Sequence, residues 1–269
     1  MKDKIRILSM GWGVQTWTLA AMTAIGEAPP VDFIVHADTG HEMEGTYSFA
    51  KTWTPWLEDH GISVATVKNN KTDVIRHSGV QIPAHFLDQE GGKGIVRRQC
   101  TQEWKLRPLR KFAREALREK GIKRVKGSVE MVIGISMDEF MRMKDSNIAY
   151  IQNVYPLVDS RMTRAGCISW LEAHNLPSPP KSACTFCPYT SKLGWKNLKR
   201  AGGSDWKSAV AVDIAIRNPR KDIPGNKFKG EMFVHSGRVP LPEAINIPED
   251  HGAQQLSLTD ACEDGYCWV

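Results

Sequence analysis

Two cysteines three residues apart lie in the run Cys184-Thr185-Phe186-Cys187-Pro188. At that spacing two thiolates can reach one metal ion from a single tight turn, and further ligands must come from elsewhere. Cys100 closes the run Arg97-Arg98-Gln99-Cys100, where guanidinium charge favours the thiolate, so its setting points to function. Cys167 falls on the apolar side of a predicted helix and reads as a small buried hydrophobe. Cys262 and Cys267 close the chain; they read as a second thiol site, a redox pair or partners of the first.

A second kind of chemistry is written in Ser9-Met10-Gly11-Trp12-Gly13-Val14-Gln15-Thr16. An apolar run, Ile5 to Leu8, stops at a Ser, two glycines follow at alternate positions, and a helix-period segment begins. A strand that turns through glycines into a helix gathers backbone N–H groups and the positive helix end at one point, a phosphate cradle. Asp38 ends another apolar run, in Asp38-Thr39-Gly40. There it can hold Mg²⁺ through oxygen or contact a nucleotide; the plainer alternative is a turn-forming Asp before Gly. His36 just before it reads as a packed core histidine. Asp138 and Glu139, with Arg142 three residues after Glu139, follow a further apolar run and read as an ion pair opening a helix, with a site role left open.

The elements that must position these residues follow from apolar spacing. Val14 to Ile25 reads as a helix ended by Gly26 and Pro29-Pro30, and Asp32 to Ala37 as a buried strand. Phe49, Trp53, Trp56 and Leu57 recur at helical spacing despite Pro55, and Ile62 to Val67 is a third strand. Residues 69 to 98 read as a loop or insertion around Gln89-Glu90-Gly91-Gly92-Lys93-Gly94. Leu106, Leu109, Ala113, Ala116 and Leu117 mark the next helix, and Val129 to Ile135 a fourth strand. Thr163 to His174 is a helix with Thr163 as cap, followed by a proline-rich break at Leu176–Pro180. Beyond about residue 200 the pattern weakens. This alternation predicts an α/β, doubly wound, mainly parallel sheet of Rossmann-like type, with ligands at the carboxyl ends of its strands. The predicted division is a nucleotide-binding domain over residues 1–195 and a C-terminal extension over 196–269, carrying the terminal Cys pair.

Charge narrows the partners. The chain of 269 residues carries a net +6, yet between Lys93 and Lys126 thirteen Lys and Arg stand against three acids, a local excess of ten. Such a block suits a polyanion, either a multi-phosphate nucleotide or a nucleic acid, although any one of these residues can simply face solvent. No stretch approaches the roughly 20 apolar residues of a membrane span. Met1-Lys2-Asp3-Lys4 leads straight into a strand without a leader's apolar core. A cytoplasmic protein is therefore expected, in which six cysteines point to metal, cluster or redox chemistry before disulfides.

Taken together these motifs resemble the phosphoadenosine phosphosulfate (PAPS) reductase family of the adenine nucleotide alpha-hydrolase-like superfamily, the PP-loop ATP pyrophosphatases, from about Ile5 to Pro188. Ser9, Gly11, Gly13, Gln15 and Thr16 are similar to the variant PP-loop Ser-x-Gly-x-Gly-x-Gln-Ser/Thr. Asp38, Thr39 and Gly40 with Thr46-Tyr47 resemble the family's Asp-Thr-Gly and its Pro-Glu-Thr-Tyr, with Glu44 and Gly45 replacing the Pro and Glu. Cys100-Thr101, Lys105 and Pro108-Leu109 resemble the Cys-Cys-x-x-Arg-Lys-x-x-Pro-Leu segment of cluster-bearing adenylylsulfate reductases, with Thr101 for the second Cys and Trp104 for the Arg. Gly134-Ile135-Ser136 with Glu139 and Arg142 resembles Gly-x-Arg-x-x-Glu-x-x-Arg, with Ser136 for the Arg. Pro156-Leu157, Thr163, Trp170-Leu171 and Leu176-Pro177 resemble the helix before the second Cys pair.

The resemblance implies ATP or another adenine nucleotide held at Ser9–Thr16, Asp38–Gly40, Lys105, Gly134, Glu139 and Arg142, with Mg²⁺, and catalysis involving Asp38 and Cys100. Three of its cluster cysteines correspond to Cys100, Cys184 and Cys187 and the fourth is missing, while the reductases' C-terminal Glu-Cys-Gly-Ile-His has no counterpart. A [4Fe–4S] cluster on three thiolates leaves one iron open, similar to the ATP-dependent tRNA thiolases; Zn²⁺ is the alternative metal. The reading is therefore ATP-dependent sulfur transfer to a nucleoside, tRNA or DNA, with a sulfur donor and no membrane, and a homodimer is compatible with it. The alternative enzyme is a PAPS or adenylylsulfate reductase releasing sulfite, with Cys267 as nucleophile and a thioredoxin-like reductant. A third reading is a non-catalytic, zinc-stabilised nucleic-acid-binding protein.

Overall fold

The computed structural model describes residues 4–77, 79–218 and 228–245. The chain opens with Ile5–Met10 (β1), Val14–Ala24 (α1), Phe33–Asp38 (β2), Glu44–Asp59 (α2) and Val64–Lys68 (β3). Short strands follow at Ile75–Arg76 (β4), Gly79–Val80 (β5), His85–Asp88 (β6) and Lys93–Ile95 (β7). A π-helical turn, Thr101–Leu106, runs into Arg107–Glu119 (α3), then Val129–Val132 (β8), Ile151–Val154 (β9), Pro156–Asp159 (α4) and Arg164–Ala173 (α5). The rest is Lys192–Ala201 (α6), Gly203–Ala215 (α7), Gly230–Phe233 (β10) and Leu241–Ala244 (α8). Among the described residues no helix is long and apolar enough to cross a membrane.

Two compact units emerge, one from Trp104–Ser182 with the chain up to Asn69, the other from Asn70–Glu103 with the described residues from Ala183 on. The first unit holds the expected parallel sheet, in the order β3-β2-β1-β8-β9 with every pair parallel. The chain winds one way from β1 to β3 and then crosses back to β8. The order thus reverses between β1 and β8, the kind of point at which open α/β sheets bind ligands beyond the carboxyl ends of their strands. β1 is buried on both faces, which is why it reads as a near-continuous apolar run instead of an alternation. Ile5 and Ile7 share a core with Leu109, Ala113, Ala116 and Leu117 of α3. Leu8 and Met10 share the opposite core with Trp17, Leu19 and Ala20 of α1, Leu57 of α2 and Leu171 of α5.

The helices match their sequence signals. α2 runs through Pro55; the lost hydrogen bond costs about 3 kcal/mol in an ordinary helix, and the aromatic face offsets it. Trp17 meets Phe49, Trp53 and Trp56 at centroid distances of 5.4, 5.2 and 5.7 Å. Thr163 caps α5 by accepting the Gly166 N–H at 3.0 Å, and Cys167 is fully buried inside that helix. Burial pushes the Cys167 thiol up to about 12, which makes it the inert side chain the sequence suggested. α3 buries its apolar stripe, and Arg107, Lys111, Arg114 and Arg118 are exposed on its other side.

The second unit departs from the sequence reading. Residues 69–98 are not an open loop: β4 pairs antiparallel with β5, and β6 pairs antiparallel with both β7 and β10. Strands of two to four residues with glycines carry no periodic signal. α6 and α7 likewise fall where the pattern weakened, and the second unit starts at Ala183 and includes Asn70–Glu103, rather than starting at residue 196. One buried carboxylate ties it together. Asp213 of α7 accepts the N–H groups of Val234 at 2.9 Å and Leu241 at 3.0 Å and pairs with Arg217 at 2.5 Å. Arg217 in turn stacks on Phe233, 3.9 Å from its centroid.

Candidate nucleotide site

The turn from β1 to α1 lies at the reversal of the sheet. Gly13 is the N-cap of α1 with extended dihedrals, φ −89° and ψ 171°; no side chain caps the helix and its first turn carries no acid. The positive end of α1 is thus not neutralised by a carboxylate of its own first turn, the condition for holding an external anion. Ser9, near the end of β1, is buried and its hydroxyl has no hydrogen-bond partner, leaving a polar group that a water, ion or ligand would satisfy. Thr16 is spent locally, its hydroxyl donating to the Gly13 carbonyl at 3.2 Å. Between the glycines Trp12 holds φ 59°, a left-handed conformation costing about 1–2 kcal/mol for such a residue. Its buried ring stacks on Trp17 at 6.3 Å and meets Phe49 edge-on, which holds the strained turn in place.

Across the reversal, the chain after β8 supports α1. A Cβ on Gly134 would lie 2.7 Å from Thr16 Cγ2 and 3.1 Å from its backbone N, so only glycine lets the first turn of α1 approach this closely. Gln15 donates to Ser136 Oγ at 3.3 Å and to Glu139 Oε2 at 3.2 Å, and Glu139 pairs with Arg142 at 2.6 Å. The expected Glu139–Arg142 pair is therefore present, on a 3₁₀ turn, Met137–Arg142. Asp138 has a different task, accepting the Arg164 N–H at 3.0 Å at the start of α5.

At the end of β2, Asp38 accepts the Gly40 N–H and the Tyr47 hydroxyl, both at 2.7 Å, and pairs with Lys68 at 3.3 Å. Burial opposes its ionisation, but the hydrogen bonds from Tyr47, Gly40 and Lys68 prevail and hold the carboxyl below its ordinary value. The turn-forming role of Asp38 is thus realised, with Gly40 at φ 75°. His36 is a buried core histidine as expected: burial pushes its imidazole below the ordinary value. Its Nδ1 lies 3.0 Å from the Met10 carbonyl, which can only accept, so Nδ1 carries the proton. Thr39, buried, donates to Glu42 at 3.1 Å, and Lys105 lies 3.7 Å from the same oxygen.

The proline-rich segment 177–182 packs against these two strand ends. Pro177 accepts the Trp17 indole N–H at 3.1 Å, Lys181 accepts the Thr46 hydroxyl at 3.5 Å, and the Ser182 hydroxyl donates to the Gly11 carbonyl. A Cβ on Gly45 would come within 3.3 Å of Pro180 Cγ, a tight approach.

Cys100, Cys184 and Cys187 belong to the second unit. Cys100 is half-buried, its N–H donating to the Gln81 carbonyl at 2.8 Å. Cys184 and Cys187 are half-buried on one tight turn, the Cys187 N–H donating to the Cys184 carbonyl at 3.1 Å and the Thr190 N–H to the Cys187 carbonyl at 2.9 Å. Among the described residues no three His, Cys, Asp or Glu side chains are grouped so that they could hold a metal ion. Cys262 and Cys267 lie outside the described residues.

The structure thus brings Ser9, Gly13, Gln15, Thr16, Gly134, Glu139 and Arg142 together around the start of α1, and Asp38, Thr39, Gly40 and Lys105 around the end of β2. Sequence reasoning passed over Glu42, Ser182 and the buried indole of Trp104. Only the placement of Glu42 just after a strand-end Asp-Thr-Gly gave a hint of it.

No family model matches this sequence, and no curated protein matches it. Among solved structures, a phosphoadenylyl-sulfate (PAPS) reductase from Candida auris, in its phosphate complex, is similar with a TM-score of 0.39 and 12% identity, over 65% of this chain and 74% of that one.

Proposed function

We propose that this chain is an enzyme of sulfur chemistry that binds an adenine nucleotide, ATP foremost, at the carboxyl edge of its parallel sheet. In this reading it transfers sulfur to a nucleoside or nucleic acid. The observation that carries the nucleotide is the uncapped start of α1 at the reversal point, reached through Gly11-Trp12-Gly13 beside the unpartnered Ser9 hydroxyl. Phosphate oxygens satisfy both features at once. Gln15, Gly134 and Glu139 position α1, Lys105 supplies a cation at the neighbouring strand end, and Asp38 shapes the turn there and is the residue proposed to face Mg²⁺.

The reaction is an exchange of oxygen for sulfur. A base carbonyl oxygen attacks the α-phosphorus of ATP and pyrophosphate leaves; a sulfur nucleophile from the donor then adds at the activated carbon, and AMP departs with the oxygen. The helix end and Lys105 stabilise the charge that builds on the leaving pyrophosphate. The exposed cations of α3 hold a polyanionic acceptor through phosphate contacts, so acceptor binding weakens with salt. The thiol types of Cys100, Cys184 and Cys187 support sulfur handling and make an iron–sulfur cluster, or zinc, the metal to look for.

The test is anaerobic purification with analysis of iron, zinc and acid-labile sulfide, together with release of pyrophosphate and AMP from ATP in the presence of tRNA. Iron and sulfide lost in Cys184→Ser support the cluster; stoichiometric zinc alone removes it. Sulfite release from PAPS or adenylylsulfate with thioredoxin would reassign the chain to sulfonucleotide reduction.

A further inference from the structure

Behind Asp38-Thr39-Gly40 lies a buried charge pair that a phosphate cradle does not need. Glu42 is 5% exposed and Lys105 7%, and Lys105 Nζ stands 3.7 Å from Glu42 Oε1. Glu42 is fixed through one carboxylate oxygen and its own backbone N–H. Oε1 accepts the Thr39 hydroxyl at 3.1 Å, and the Glu42 N–H donates at 3.3 Å to the Tyr47 hydroxyl that itself binds Asp38. At 3.7 Å the Lys105–Glu42 contact is longer than the roughly 2.7–2.9 Å of a tight charge-assisted hydrogen bond. Next to Lys105 in the chain, Trp104 is 1% exposed and its indole N–H is buried with no hydrogen-bond partner. Its ring lies 5.4 Å from that of His41, the neighbour of Glu42. A buried donor without an acceptor beside a buried cation is a pair of groups suited to an incoming anion.

The pair also lies near the cradle. His36, which feels the charges of both Glu42 and Lys105, binds the Met10 carbonyl one residue before Gly11. β1 and β2 pair side by side there, Met10 opposite His36.

Resting on the nucleotide reading above, we propose that Glu42 is a built-in counter-anion for Lys105 and makes the site selective for polyphosphates. A ligand at this edge gains Lys105 only by competing with a fixed carboxylate. A diphosphate or triphosphate brings enough negative charge to draw the ammonium away, whereas orthophosphate competes poorly. Once released, Lys105 and the Trp104 N–H donate to the same ligand, and Thr39 remains with Glu42.

Calorimetric titration with pyrophosphate, orthophosphate and ATP tests this on the full chain and on Glu42→Gln, Lys105→Met and the double variant. The native chain should bind pyrophosphate and ATP well and orthophosphate weakly. Glu42→Gln should bind orthophosphate about tenfold more tightly, a change of the size of one freed ion pair, and its preference for pyrophosphate should shrink. A gain in affinity is not what structural damage produces. The double variant removes both charges and so keeps the interior neutral; it should match Lys105→Met alone, because Glu42 acts only through Lys105. Glu42→Gln with equal or weaker orthophosphate affinity overturns the proposal. So does a double variant that binds more weakly than Lys105→Met, which also covers the case of Glu42→Gln failing to fold. If the native chain binds neither pyrophosphate nor ATP, the nucleotide reading itself falls.

Discussion

Gln15 reaches from the first turn of α1 to the far side of the sheet reversal, donating to Glu139 at 3.2 Å and to Ser136 at 3.3 Å. This side-chain amide fixes the N-terminal end of α1. Gln15→Glu would set a second buried carboxylate against Glu139. Urea unfolding at neutral pH should show a loss of about 2–4 kcal/mol, and unchanged stability would mean that the bridge does not hold α1.

Gly134→Ala places a methyl 2.7 Å from Thr16 Cγ2 and 3.1 Å from Thr16 N. The backbone cannot yield as a flexible side chain would, so α1 must shift. Overpacking of this kind costs about 1–3 kcal/mol. ATP affinity should fall together with thermal stability, and a variant with native values of both would show that the close approach is unimportant.

A surface pair at the far end of α1 gives the chain a pH signature. Glu27 accepts the Trp170 indole N–H at 2.8 Å and pairs with His174 at 3.1 Å. The Trp170 indole first, and His174 second, hold Glu27 below 4.5, although burial opposes this. The Trp170 carbonyl first, and then Glu27, raise His174 above 6.5. A raised histidine stabilises the fold fully below its unfolded value and loses that contribution as pH rises through the folded one. A lowered carboxylate stabilises above its unfolded value and loses its contribution as pH falls through the folded one. The contribution is therefore fullest between 4.5 and 6.5. Melting temperatures of native chain and His174→Gln across pH should differ most in that window and converge above it; a gap that does not vary with pH would contradict the assignment.

Asp213→Ala leaves the Arg217 guanidinium and the N–H groups of Val234 and Leu241 without their shared acceptor. Removing one partner of a buried pair costs about 3–5 kcal/mol. Limited proteolysis should then open the second unit first, at α7 and β10, and resistance equal to the native chain would show that Asp213 is dispensable.

How much of this was legible in the sequence depends on the range of the signal. The parallel sheet was readable because β1 and β2 are buried on both faces and α3 separates Leu109, Ala113 and Leu117 from its basic side. The glycine turn at Gly11 and Gly13 was equally local. What could not be read came from partners distant in sequence. Gln15 meets Glu139, Glu42 meets Lys105, and Pro180 packs close on Gly45, and no spacing rule reports these meetings. The hairpins between Ile75 and Ile95 escaped because their strands are too short for a period to appear. Asp38, read as a nucleotide or Mg²⁺ residue, first serves its own turn through Gly40 and Tyr47.

The central claim is that the bare N-terminus of α1 holds the phosphates of an adenine nucleotide. Gly13→Asp tests it with little ambiguity, because Gly13 already has the extended dihedrals of an N-cap, and Asp is a favourable capping residue there. The variant should fold with native or higher thermal stability while its carboxylate occupies the N–H groups and repels phosphate. Titrated with ATP and Mg²⁺, the native chain should bind and Gly13→Asp should bind at least about tenfold more weakly. Equal ATP affinity in a folded Gly13→Asp would contradict the account.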